Sequence, residues 1–85
     1  MNGFKLEQRL QQLGVPRNAY HLTGGLPNEA FTLNQLNGSW EVYYSERGQK
    51  TGCKVFNTEH EACVFFLSYI LSDGAVRSIM EQTKR

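Results

Sequence analysis

Asn37-Gly38, set between "EAFTLNQL" and "SWEVYYSE", constrains this chain more than any other feature. Two runs that alternate apolar and polar residues around Asn-Gly specify a β-hairpin. The type I′ turn that Asn-Gly favours needs positive φ at both central residues. A two-residue turn also fixes the register. Leu33 then faces Val42, Phe31 faces Tyr44 and Gln35 faces Trp40 on one side, the core side, with Val42 at its centre. Thr32 faces Tyr43 and Asn34 faces Glu41 on the other. A third strand, "TGCKVF", returns after the loop "ERGQK". Its parity is expected to put Cys53 and Val55 on the core side and Lys54 on the outer side. Phe56 falls on the outer side too, at a strand end where it can turn beneath the next helix.

Helices flank this meander. Phe4, Leu6, Leu10 and Leu13 make one apolar stripe over residues 3–13, with Lys5, Glu7, Gln8 and Arg9 on the wet face. Gly14 and Pro16 end that helix. A short strand over Tyr20–Leu22 is expected before the break at Gly24-Gly25. After the third strand, Thr58 and Glu61 have the spacing of a capping box. The helix they open, "NTEHEACVFFLSYILS", is apolar almost all round and so needs cover on more than one side. Asp73-Gly74 breaks it. Val76, Ile79 and Met80 mark a last short helix before the polar tail "EQTKR". The fold class is therefore α+β: an N-terminal helix, an antiparallel meander of three or four strands, and two helices packed on one sheet face, the other face being left to solvent or to a partner.

Eighty-five residues make one domain, 1–85, with no room for a second core. The formal net charge of +1 signals neither a strongly basic nucleic-acid binder nor an acidic mimic of one. The start, "MNGFKLEQRL", has no apolar targeting region, and "ACVFFLSYIL" is too short to span a bilayer. The chain is expected to be soluble and cytoplasmic, with Cys53 and Cys63 reduced and buried.

Chemistry is hard to find. His21, His60, Cys53 and Cys63 form no close ligand pair, so no metal or cofactor is expected. Cys63 and His60 stand three residues apart on a helix, but an apolar surrounding raises a thiol's pKa, the wrong direction for a nucleophile. "GQKTG" has its lysine and threonine before the second glycine and inside a hairpin, so it reads as turn chemistry and not as a phosphate loop. One acid–base candidate survives. The hairpin register puts Glu29 opposite Glu46, and like charges so placed destabilise a sheet. Fraying would separate them, Arg47 or Lys50 would neutralise them, or the pair awaits a cationic partner.

The outer sheet face carries Thr32, Asn34, Glu41, Tyr43, Ser45 and Lys54, with Glu46, Arg47 and Lys50 at its rim. An ordinary solvated face would hold a Glu41–Lys54 or Tyr43–Lys54 cross-strand pair. Tyrosine with arginine is also what protein interfaces favour.

The block "WEVYYSERGQKTGCKVFNTEHEACVFFL", with the preceding "GLPNEAFTL", resembles small immunity proteins of bacterial polymorphic-toxin and contact-dependent growth-inhibition systems. The likeness lies in the order of features: an aromatic strand, a Glu-Arg-Gly loop, a strand ending in Phe, and a helix opened by an acidic turn and "EAC". It implies a non-enzymatic, cytoplasmic antitoxin that covers the active site of a cognate toxin's C-terminal domain, often a nuclease. Carboxylates would meet a cationic cleft, which makes Glu29, Glu41 and Glu46 candidates beside Tyr43, Ser45, Arg47 and Lys54. The near-neutral charge favours a mixed interface. The alternative is a small nucleic-acid-binding or adaptor module, with Tyr43 stacking on a base and Arg47, Lys50 and Lys54 on phosphates.

Overall fold

A computed structural model describes residues 1–83. Its elements run α1 (Gly3–Gln12), β1 (Tyr20–His21), β2 (Ala30–Gln35), β3 (Trp40–Glu46), β4 (Gln49–Phe56), α2 (Glu59–Leu71) and α3 (Gly74–Thr83), with one 3₁₀ turn at Arg17–Ala19. The α+β class and the element order are those read from the sequence. α3 extends into the expected tail, of which Lys84 and Arg85 lie outside the described residues.

The β2–β3 register is the one the hairpin pattern dictates: Phe31 pairs with Tyr44, Thr32 with Tyr43, Leu33 with Val42, Asn34 with Glu41 and Gln35 with Trp40. The turn type differs. Of its two central residues only Gly38 has positive φ, at 87°. Positive φ at the second central position alone is the requirement of a type II turn, not of type I′. Both turns have two central residues, so the register is the same. The type I′ requirement is met one hairpin later, where Arg47 (φ 50°) and Gly48 (φ 75°) join Glu46 to Gln49.

The sheet is mixed, which corrects the all-antiparallel expectation. Its order is β1-β2-β3-β4, and β1 runs parallel to β2, with Tyr20 beside Phe31 and His21 beside Thr32. Parallel neighbours cannot be joined by a hairpin. The chain between them must cross a face of the sheet. β1 is two residues long, so a short irregular crossover over residues 22–29 suffices.

A second correction concerns β4. Tyr44 pairs with Thr51, but Val42 pairs with Lys54, so Gly52 and Cys53 together oppose Tyr43. This is a β-bulge, and Gly52 supplies the left-handed residue it needs, with φ 63°. One extra residue reverses which side chains face which way. Lys54 and Phe56 therefore share the side of Val42 and Trp40, while Cys53 and Val55 share that of Glu41. Cys53 is accordingly exposed, and of the two cysteines only Cys63 is buried.

The core lies between the inner sheet face and α2. Phe31, Leu33 and Val42 meet Ala62, Cys63, Phe66 and Ile70, joined by Leu6 and Leu10 of α1 and Val76 of α3. Thr58 caps α2, its Oγ1 accepting from the Glu61 amide at 3.1 Å. Glu59 reaches instead to α1, where its carboxylate accepts from the Gly3 amide at 2.8 Å. The cover expected all round α2 is incomplete, since Val64 is 48% exposed. Among the described residues no single helix is long and apolar enough to cross a membrane.

Candidate functional site

The outer sheet face is not open. Thr32, Tyr43 and Ser45 have no solvent exposure, Ala30 is buried, and Glu41 is only 6% exposed. The cover is the crossover between β1 and β2. The Gly24 amide donates to the Leu33 carbonyl at 2.9 Å, and the Tyr43 hydroxyl donates to the Gly25 carbonyl at 2.5 Å. Small residues at positions 30, 32 and 45 let that backbone approach closely. They are the sequence signal that a face expected to be solvated is covered. The Ser45 hydroxyl lies beneath with no hydrogen-bond partner.

Glu41, itself buried, sits at the centre of a part-buried polar cluster. Its carboxylate accepts from Lys50 Nζ at 2.7 Å, from Asn34 Nδ2 at 2.9 Å and from Cys53 Sγ at 3.3 Å. Burial pushes the carboxyl pKa up, but the bonds from Lys50, Asn34 and Cys53 and the charge of Lys50 outweigh it, so the net shift is downward. Lys50 Nζ also stands 4.7 Å from the centre of the Tyr43 ring. The cross-strand cation is thus Lys50 and not Lys54, because the bulge turns Lys54 to the opposite side. The Cys53 thiol is pushed up by burial and by its bond to Glu41, and Cys63 is pushed up to about 11 by burial. Neither is disposed to nucleophilic attack at neutral pH. His60 does not attend Cys63. Its Nδ1 is bonded to the N-terminal amine at 2.6 Å.

Glu29 and Glu46 are not ladder partners. β2 begins at Ala30 opposite Ser45, and Glu29 has φ 54°, a turn conformation that takes it out of the strand. Of the three explanations open from sequence, chain departure at Glu29 ends the pairing, and Lys50 is engaged elsewhere. Both carboxylates remain beside Tyr44, whose phenol pKa is raised first by burial and then by Glu29, Glu46 and Asp73.

Tyr44 stands between two adjoining clefts of about 350 and 360 Å³. Phe31, Tyr44 and Asp73 line both, Tyr69 walls one, and Glu29 and Ile79 wall the other. The rings meet edge to face, Phe31 lying 5.0 Å from Tyr44 and 5.0 Å from Tyr69 between centres. Sequence reasoning placed Tyr44 in the core and Asp73 at a helix break, and named neither as part of a site. Asp73 does serve the break, since its Oδ2 accepts from the Val76 amide at 3.1 Å.

The candidate residues therefore divide. Glu41, Tyr43 and Ser45 are buried in the sheet, whereas Glu29, Arg47 and Lys54 are exposed and Glu46 is half-buried. Among the described residues no three of His, Cys, Asp or Glu gather as a metal site. No family model, curated protein or solved structure matches the chain.

Proposed function

We propose that this protein acts by binding another protein, as an immunity-type antitoxin that occludes a cognate bacterial toxin domain, a nuclease on the resemblance noted above. The observation that carries the reading is the division of the polar groups. Glu41, buried in the sheet, is satisfied by Asn34, Lys50 and Cys53, and Tyr43 by the Gly25 carbonyl, as structural groups are. The accessible carboxylates, Glu29 and Glu46, gather instead around the Tyr44 phenol and leave two carboxylates to face a partner. The resemblance of the Trp40–Leu67 block to immunity proteins points the same way. On this reading Glu29, Glu46, Arg47 and Lys54 make direct contact. Glu41, Tyr43 and Ser45 support the sheet from within.

The nucleic-acid alternative loses its stacking platform. Tyr43 has no exposed ring for a base, and Lys50 is bonded to Glu41.

Co-expression with the product of the adjacent upstream gene tests the proposal. A toxic neighbour, rescued by this protein and co-purifying with it, is the expected result. Charge reversal at Glu29 and Glu46 should weaken that rescue with the fold intact. A neighbour without toxicity and no co-purifying protein would refute the antitoxin reading.

A further inference from the structure

Three clusters stand outside the polar cluster around Glu41: the apolar side of α2 around Val64, the exposed edge of β4, and the Tyr44 clefts. The first two have nothing that specifies an occupant. The third does, through charge and shape together.

Among the described residues, the charged groups that act on the Tyr44 phenol are carboxylates: Glu29, Glu46 and Asp73. Arg47, next to Glu46, is exposed in its turn and lines neither cleft, and the other nearby cations are engaged or placed elsewhere. Lys50 is bonded to Glu41 on the far face, Arg77 lines a separate cleft with Leu71, Met80 and Glu81, and Arg17 lines another with Glu7 and His21. Phe31 and Tyr44 wall both clefts, Tyr69 adds a third ring to one, and Asp73 lines both while Glu29 lines the other. Aromatic faces with a carboxylate rim attract a cation by the ring quadrupole and by charge at once. A planar guanidinium suits such a place better than an ammonium, because it stacks on rings and bonds carboxylates with two parallel N–H groups.

We infer that the paired clefts beside Tyr44, lined by Glu29 and Asp73 and with Glu46 two residues along β3 from Tyr44, are the socket for an arginine side chain presented by the protein's partner. This rests on the reading that the protein works by engaging another protein, and it names the chemistry of the anchor. Arginine is a residue that concentrates binding energy at protein interfaces. Seating it here would bring a cation to Glu29 and Asp73 beside a half-buried phenol.

The test needs no toxin. The full chain, isotopically labelled, is titrated by NMR at low ionic strength with N-acetyl-arginine amide, and in parallel with the uncharged N-acetyl-citrulline amide. Saturable shifts confined to Phe31, Tyr44, Tyr69 and their neighbours are expected with the arginine compound and not with citrulline. Glu29→Gln and Glu46→Gln together should raise the arginine concentration needed for half-saturation by roughly threefold or more, the scale of one lost surface charge contact. Equal responses to the two compounds, shifts scattered over the surface, or indifference to the paired substitution would each overturn the inference. Toxin rescue without arginine binding would count against the socket alone. Arginine binding without a toxic neighbour would count against the antitoxin reading alone.

Discussion

The buried carboxylate of Glu41 gives the sharpest test of how this fold is held. Consider Lys50→Met, which keeps the aliphatic stem and removes the charge. Glu41 would retain Asn34 and Cys53 as donors but lose its shortest bond, at 2.7 Å, and the only cation paired with it among the described residues. Removing one partner of a fully buried pair costs about 3–5 kcal/mol, and an exposed pair is worth about 0–1 kcal/mol. The Lys50 side chain is 42% exposed and that of Glu41 only 7%. The cost should fall between those limits, about 2 kcal/mol at neutral pH with the lost ring contact included. The pH dependence separates this account from plain loss of packing. In the wild type the Glu41 pKa lies below its ordinary value of 4.5. Its contribution is then fully present above the unfolded pKa and is lost as pH falls through the folded one. Without Lys50, burial is opposed by fewer bonds and the folded pKa rises. The variant's deficit should therefore be full near pH 7 and shrink as pH falls through the variant's raised pKa and then the wild type's lower one. Urea denaturation of both proteins at pH 7 and at pH 4 measures this directly. A deficit below about 0.5 kcal/mol at pH 7 would refute the reasoning, because it would equal an ordinary surface pair. So would a deficit of the same size at both pH values.

Three further outcomes follow from the same geometry. Arg47→Asn should stabilise the protein by about 0.5–1 kcal/mol in thermal unfolding, since asparagine tolerates the left-handed conformation that Arg47 holds in its turn. Tyr43→Phe should cost about 1–2 kcal/mol, because the Gly25 carbonyl loses its donor, and amide exchange at Gly24 should quicken as the crossover loosens. Iodoacetamide at pH 8 should label Cys53 slowly and leave Cys63 unmodified until the chain unfolds, as mass spectrometry of the native and denatured protein would read.

How much was legible in the sequence depends on the length scale of the signal. The β2–β3 register was, because a two-residue turn and strict alternation leave one pairing that buries Leu33 and Val42 together. The start of α2 was, because Thr58 and Glu61 act within one turn. The direction of β1 was not: two residues carry no periodicity, and the parallel pairing is settled by distant contacts. The parity of β4 was misread although its signal was present. An isolated glycine inside a strand often marks a bulge, and Gly52 turned Cys53, Lys54, Val55 and Phe56 over together. The buried outer face was missed because an irregular crossover covers it, and such a segment writes no apolar pattern of its own. The Glu29–Glu46 pairing does not form, because the turn at Glu29 takes it out of the strand.

The bulge at Gly52 also bears on how the molecule behaves in a crowd. β4 is an edge strand, exposed from Gln49 to Val55, and a long flat edge is a template on which another chain can add a strand. The break at Gly52-Cys53 divides its ladder into Gln49–Thr51 and Lys54–Phe56, each too short to hold a stranger firmly. A lysine stands on either side of the break, Lys50 and Lys54, and a bulge between charged residues is a common guard against edge-to-edge aggregation. The glycine that reverses the faces of this strand thus also interrupts the edge on which another copy would add a strand.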